Sequence, residues 1–381
     1  MMPWTHLHFW PDGKAFPCCI ADSTMPVGRF GEQSIADIWN SDKLRAIRRN
    51  MLEERPSPEC IRCYTLEGKT EIVTLRQMSN QKFAHHFGSV GKTRKNGSVT
   101  KVNMAYLDIR FSNLCNLRCQ TCGPGLSSSW YEDQVNAWGH PGHAKLLSIP
   151  DGKAFWKELE PLLENVENGY FAGGEPLLCE EHYRVLDRWL ELGKTDIQIN
   201  YTTNFSRLKL GKHDAIHYWK QFKNVRIAAS LDAAGERAEY LRKGTRWKQV
   251  AENRRRMLRE CPEVPFAITP TISIYNVWHF PDFHREWIEE GLVEVNALHL
   301  NILTVAPFMS AHLLPKVFKK EISEKYRRAL DILVNRAIRE NKPYANAESG
   351  YRSVISYIDQ KSSRKLVEEF FDRVRSIDKV R

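Results

Sequence analysis

Three cysteines within eight residues, Cys115, Cys119 and Cys122, constrain this chain more than any other feature. With nine cysteines among 381 residues, the spacing C-x-x-x-C-x-x-C should arise by chance only about 0.005 times per chain, so it calls for a chemical reason. A run of strand formers, Leu107-Asp108-Ile109-Arg110-Phe111, leads into it. Zinc sites favour paired C-x-x-C or mixed Cys/His sets that close a tetrahedron. Three thiolates on one tight loop instead suit three corners of a 4Fe–4S cube, with the fourth iron left open to a ligand.

The other cysteines sharpen that reading. An odd count, with no basic and apolar leader in Met1-Met2-Pro3-Trp4-Thr5-His6, argues against a disulfide framework and for metal binding or catalysis. Cys18-Cys19 and Cys60-x-x-Cys63 form a second, looser metal signal, while Cys179 and Cys261 stand alone. No stretch approaches the roughly 18 apolar residues of a membrane helix, so the expectation is a soluble cytoplasmic protein without membrane contact.

The pattern along the chain divides it into four segments. Residues 3–20 read as a hairpin turning at Pro11-Asp12-Gly13, and a helix is expected over 41–53, capped by Asn40 or Ser41 and stopped before Pro56-Ser57-Pro58. Residues 1–87 are therefore expected to form a small α+β module that carries the second cysteine set. Residues 88–103, rich in Gly, Ser, Lys, Thr and Asn, read as a flexible basic linker and domain boundary. Strands are expected at 105–111, 169–172, 196–202, 225–231, 266–274 and 297–305. Helices are expected near 153–163, 181–192, 213–222, 247–259 and 280–290. Six βα units over 104–310 give an α/β fold, a partial (β/α)6 TIM-type barrel, followed by a basic helical tail over 311–381. No G-x-G-x-x-G follows the first strand, which disfavours a Rossmann fold.

With Cys115-Asn116-Leu117-Arg118-Cys119-Gln120-Thr121-Cys122 behind the first barrel strand, the chain resembles the radical S-adenosylmethionine (SAM) superfamily. The resemblance extends to Gly173-Gly174-Glu175-Pro176 at the end of the second strand, which matches that family's G-G-E-P. It implies that this turn meets the SAM amino group, glycines letting the backbone come close. It further implies SAM-site roles for Ser230 and Asp232, for Arg242 as a partner of the SAM carboxylate, and for Thr202, Asn204 and Ser273 at strand ends. The implied cofactors are a 4Fe–4S cluster with one open iron and SAM, and the implied chemistry is reductive SAM cleavage followed by hydrogen abstraction. An external one-electron reductant such as flavodoxin or ferredoxin is implied as well.

The hairpin, Pro17-Cys18, helix and Cys60-x-x-Cys63 resemble the twitch or SPASM module of these enzymes, which holds an auxiliary 4Fe–4S or 2Fe–2S cluster. Here the module precedes the barrel, and Met2-Pro3 stands where a first cysteine ligand is usual. Cys18, Cys60 and Cys63 are the implied ligands. The fourth is open among Cys19, His6, His8 and an iron left open to substrate, and a structural zinc rivals the whole module. Cys179, beside the G-G-E-P turn, is either a hydrogen-atom donor to substrate or an inert buried thiol. Cys261 reads as structural, and Phe111 and Tyr170 as packing.

Fifty-six basic against 46 acidic residues give a net charge of +10, which tilts the substrate toward something anionic. The substrate is expected to be a peptide or a small sugar or nucleotide. The basic runs, notably Arg254-Arg255-Arg256, read either as solvated faces or as a nucleic-acid-binding surface on a metal-stabilised, non-catalytic module. No RRM or OB motif accompanies them.

Overall fold

The computed structural model describes residues 1–67 and 73–381. Its residues gather into two compact units, one of Met1–Asn113, Leu146–Asn200 and Gln221–Asn224, the other of Leu114–Lys145, Tyr201–Lys220 and Val225–Arg381. The architecture is α/β, with parallel strands alternating with helices in the manner of a partial TIM-type barrel and a helical carboxy-terminal segment.

In the first unit, β1 (His6–Phe9) pairs antiparallel with β2 (Lys14–Phe16), which pairs with β3 (Gly28–Arg29). The hairpin is shorter than expected. Met2–Thr5 form a helical turn instead, with Pro3 pre-setting the backbone at its start and Trp4 buried. On its other side β1 lies parallel to β4 (Tyr106–Ile109), which lies parallel to β5 (Asn168–Phe171). The amino-terminal segment thus contributes a strand to the barrel sheet rather than standing apart as its own module.

Nor does a break occur over 88–103. Thr93 Oγ1 accepts from Trp4 Nε1 at 2.8 Å, and Asn40 exchanges two hydrogen bonds with Val99, at 2.9 and 3.0 Å. Arg48, buried, reaches Gly97 O. The small polar residues that read as a flexible linker serve as hydrogen-bond partners for buried groups. The helix expected over 41–53 is Asp42–Leu52, with Ser41 Oγ capping Leu44 N and Leu44 and Ile47 buried. Helix Gly152–Leu159 and helix Glu180–Glu191 match their expected positions.

Strand β6 (Gln198–Thr203) spans the boundary between the units. In the second unit, β7 (Asn224–Ala229) pairs parallel with β8 (Phe266–Ile268). The strand expected over 266–274 breaks at Pro270, which has no N–H for a ladder, and resumes as Thr271–Ile272. That fragment pairs with Asn301–Ile302, and the strand expected over 297–305 is reduced to this pair and a single parallel bridge from Leu298 to Ile268. Residues 213–222 give only a short helix, Ala215–Trp219, capped by Asp214. Trp247–Glu260 and Phe280–Glu289 form the remaining barrel helices. Helices Lys316–Arg339, Ala345–Ile358 and Arg364–Asp378 complete the chain. None of the described helices is long and apolar enough to cross a membrane.

Candidate metal centres

The second unit carries the triplet loop, and side-chain bonds to its backbone fix its course. Ser127 Oγ donates to Leu117 O at 2.6 Å, Ser129 Oγ to Cys115 O at 2.7 Å, and Trp130 Nε1 to Cys119 O at 2.7 Å. Residues Arg118–Cys119 pair antiparallel with Arg242–Lys243. Gly244, at φ +102°, allows this approach, since a Cβ there would fall 2.8 Å from Asn116 O. Arg118 and Arg381 converge on buried Asp133, both at 2.7 Å. The Ser127–Trp130 run and the Asp133 pair escaped the sequence reading. The only signal was their position just behind the triplet.

All nine cysteines are free thiols. Donors reach the triplet sulfurs: Leu117 N to Cys115 Sγ at 3.5 Å, Asn204 Nδ2 to Cys115 Sγ at 3.9 Å and Arg242 Nη1 to Cys119 Sγ at 3.7 Å. Burial pushes the Cys122 thiol up to about 12, and raises Cys119 against the pull of Arg242. Three thiols on one loop, Cys115 buried and Cys119 and Cys122 half-buried, two of them met by N–H donors, suit a metal cluster, which holds thiolates outright and leaves sulfur lone pairs for such donors.

Of the expected SAM-site residues in this unit, Asn204 and Arg242 touch that loop, and Asp232 stands behind Arg242. Asn204 Nδ2 also donates to Asn116 Oδ1 at 3.0 Å, and its Oδ1 accepts from Ser206 N and Oγ. Asp232 accepts from Arg242 Nε and from Thr271 N, both at 2.8 Å. Against burial, the largest influence, Asp232 holds Arg242 above its ordinary value. Arg242 therefore already has a carboxylate partner from its own chain, besides the sulfur it touches. Ser273 is buried in a turn with Asn276, whose Oδ1 accepts from Ser273 N at 2.8 Å. Ser230 N donates to Thr203 O at 2.8 Å, and Thr202 is half-buried on β6.

The G-G-E-P turn belongs to the first unit. Gly173 has φ +123°, and a Cβ would meet Arg110 Cδ at 2.8 Å, so only glycine fits. Glu175 Oε1 accepts from Leu177 N at 3.1 Å, capping the short helix Pro176–Leu178. Behind the turn, a pocket is lined by Gly174, Glu175, Pro176, Cys179, Phe171 and His182. Cys179 is buried and its Sγ lies 3.0 Å from Glu181 Oε2. Burial, then the adjacent carboxylate, pushes that thiol far up. A thiol so held stays protonated.

Of the amino-terminal cysteines, Cys18, Cys60 and Cys63 line one cavity with Met1, Pro17 and Ile20. Cys18 ends the β2 hairpin, Cys60 closes the short helix Pro58–Cys60, and Cys63 sits on helix Ile61–Glu67. Burial pushes Cys18 up to about 12 and Cys60 up to about 11. Cys19 does not line this cavity. After burial, the main influences on its thiol are Asp108, Cys18 and Arg110. His6 and His8 gather with Asp108.

The basic run of helix Trp247–Glu260 is absorbed by the fold. Arg254 Nε bonds Leu292 O, Arg255 pairs with Glu290, and Arg256 pairs with Asp214 and Glu260, each at 2.7 Å. This leaves little free charge there for a nucleic-acid surface.

Residues 1–64 match the SPASM family, described as an iron-sulfur cluster-binding domain. No curated protein matches the chain. Solved structures similar to it include native anSMEcpe with bound AdoMet and Cp18Cys peptide, at 15% identity and TM-score 0.42, over 62% of this chain and 61% of that one. Streptococcus suis SuiB bound to precursor peptide SuiA follows, at 16% identity and TM-score 0.40, over 86% of this chain and 67% of that one. TYW1 with a lysine-pyruvate adduct bound has 11% identity and TM-score 0.31, over 60% and 70%. The chain thus spans about three fifths of the anSMEcpe structure's length.

Proposed function

We propose that this chain is a radical SAM enzyme with an amino-terminal SPASM-like module, holding iron–sulfur clusters and SAM, that cleaves SAM reductively and oxidises or otherwise modifies a peptide or a small sugar or nucleotide. The carrying observation is the triplet loop: three thiols on one loop, Cys115 buried and the other two half-buried, with N–H donors from Leu117, Asn204 and Arg242 aimed at two of the sulfurs.

Cys115, Cys119 and Cys122 would hold three irons of a 4Fe–4S cluster and leave the fourth open. When bound, the reduced cluster and SAM supply a 5′-deoxyadenosyl radical, which takes a hydrogen atom from substrate. The chain's own residues provide the setting. Arg242, held in place and kept protonated by Asp232, puts a guanidinium beside Cys119, which would favour the extra negative charge of a reduced cluster. Gly173 offers bare backbone where a ligand amino group approaches, and Glu175 stiffens that turn by capping Pro176–Leu178. Cys18, Cys60 and Cys63 would hold an auxiliary cluster able to take up or pass on an electron. With Cys179 hydrogen-bonded to Glu181, a hydrogen-donor role for it asks that this bond be broken first. An external flavodoxin or ferredoxin would supply electrons.

The test is anaerobic reconstitution followed by incubation with dithionite and SAM. Absorption near 400 nm, about eight irons per chain if both clusters are of the 4Fe–4S kind, and release of 5′-deoxyadenosine and methionine support the reading. A colourless zinc protein overturns it. One 5′-deoxyadenosine per product, measured once a substrate is in hand, distinguishes oxidation from isomerisation.

A further inference from the structure

Inside the first unit, β1 and β4 run side by side in parallel, with His6 opposite Tyr106 and His8 opposite Asp108. Both histidines are buried on the same face of β1. His6 Nδ1 lies 2.8 Å from Tyr106 O, and His8 Nδ1 lies 3.0 Å from Asp108 O. A carbonyl oxygen only accepts, so each Nδ1 carries a proton, and His8 Nδ1 also lies 3.3 Å from Asp108 Oδ1.

The Nε2 of His6 is poorly served by the protein itself. His6 Nε2 is sealed from solvent and has no hydrogen-bond partner among the described residues, and Asp108 Oδ2 is in the same position. Burial drives His6 down to about 4, so the ring is neutral at physiological pH. Arg110, 2.7 Å from Asp108 Oδ1, and His8 hold Asp108 down at about 2 against burial, the largest influence, so it is a carboxylate. Two unmatched acceptors, both buried, cost free energy unless something electron-poor lies between them. One donor atom from each of His6, His8 and Asp108 falls within a mutual 4.8 Å.

We propose that His6, His8 and Asp108 bind one divalent transition-metal ion, of the zinc type, separate from both cysteine pockets. Imidazole nitrogens and a carboxylate oxygen are borderline donors that suit zinc. The bonds from Nδ1 to the β4 carbonyls are the outer-shell arrangement that orients a metal-binding histidine. Arg110 and His8 Nδ1 both face the other carboxylate oxygen, Oδ1, at 2.7 and 3.3 Å, which leaves Oδ2 for the ion. Three protein ligands leave a fourth position of the tetrahedron open to water or substrate. The sequence reading offered His6 or His8 as the missing ligand of the auxiliary cluster. The geometry points instead to a mononuclear site of their own, which does not depend on SAM chemistry.

The experiment uses the full chain with its iron–sulfur clusters loaded anaerobically, then given Zn2+ and desalted. Elemental analysis should return one zinc per chain beyond the iron, and zinc-edge X-ray absorption should show a nitrogen and oxygen shell with imidazole scattering. His6→Gln and His8→Gln should each weaken zinc binding at least tenfold with iron content unchanged. Should Asp108→Asn fail to fold, as loss of iron would reveal, the two histidine variants decide. A sulfur-dominated zinc shell overturns the proposal, as does zinc that survives His6→Gln or wild-type protein that retains none. None of these readouts involves SAM cleavage, so a failed function test leaves this one standing, and the reverse.

Discussion

The two sets of three thiols are built in opposite ways. Cys115, Cys119 and Cys122 come from one loop, and that loop is tied down by Ser127, Ser129, Trp130 and the pairing with Arg242–Lys243. Cys18, Cys60 and Cys63 come from a hairpin end, a short helix and the helix after it, and meet only because the first unit folds. The charge setting differs too. Cys119 has the half-buried Arg242 at its sulfur, whereas burial, adjacent Glu59 and Cys63 raise Cys60, and Arg76 and the amino terminus oppose them more weakly. A preformed loop spends its metal-binding energy on the bound ligand, while a set gathered from distant segments spends part of it on folding. The first is suited to chemistry, the second to holding structure and passing electrons.

The comparison breaks most sharply under cysteine replacement. Cys119→Ala should abolish 5′-deoxyadenosine release, a fall of at least about a thousandfold on a chromatographic assay, a barrier change of ~4 kcal/mol or more, while the melting temperature moves little. Cys60→Ala should leave substrate-free SAM cleavage intact, stop product formation, and lower the melting temperature more than Cys119→Ala does. Equal losses of stability in the two variants would erase the distinction.

Smaller effects sharpen it. Arg242→Gln leaves buried Asp232 without its cation, which should cost about 3 kcal/mol in denaturant unfolding and lower the midpoint potential of the SAM-site cluster in a redox titration. The carboxy-terminal half can be probed away from the thiols through His284, whose ring is buried in the second unit with Nδ1 3.1 Å from Tyr351 OH. Burial lowers it from 6.5 to about 3, so between those values the unfolded chain binds the extra proton. Its contribution is complete above pH 6.5 and is lost as pH falls toward 3, with a slope of up to ~1.4 kcal/mol per pH unit. His284→Gln should flatten that slope in pH-dependent melts. Smallest of all, Ser129→Ala removes one bond to the triplet loop and should cost about 1 kcal/mol.

Much of this was legible in the sequence because some signals are local. The triplet, the G-G-E-P turn and the capped helix at Asp42–Leu52 each sit within a dozen residues, and the strand–helix alternation set the fold class. What escaped depends on pairing between distant segments. That β1 would join β4 cannot be read from either strand alone, so residues 1–87 read as a separate module and 88–103 as a linker. The same pairing hid the juxtaposition of His6 and His8 with Asp108, a hundred residues away in the chain. Pro270 could have split the fifth strand from sequence alone. The arginines of 254–259 looked free because their acidic partners, among them Asp214 and Glu290, lie 35 to 42 residues off for the longest-range pairs.

The account rests on the triplet loop presenting one iron to SAM. The direct measurement is cleavage by anaerobically reconstituted protein under dithionite, with Cys119→Ala beside it. Wild type should release 5′-deoxyadenosine and methionine in step, and the variant neither. Intact SAM in the presence of wild-type protein with its full iron content contradicts the account.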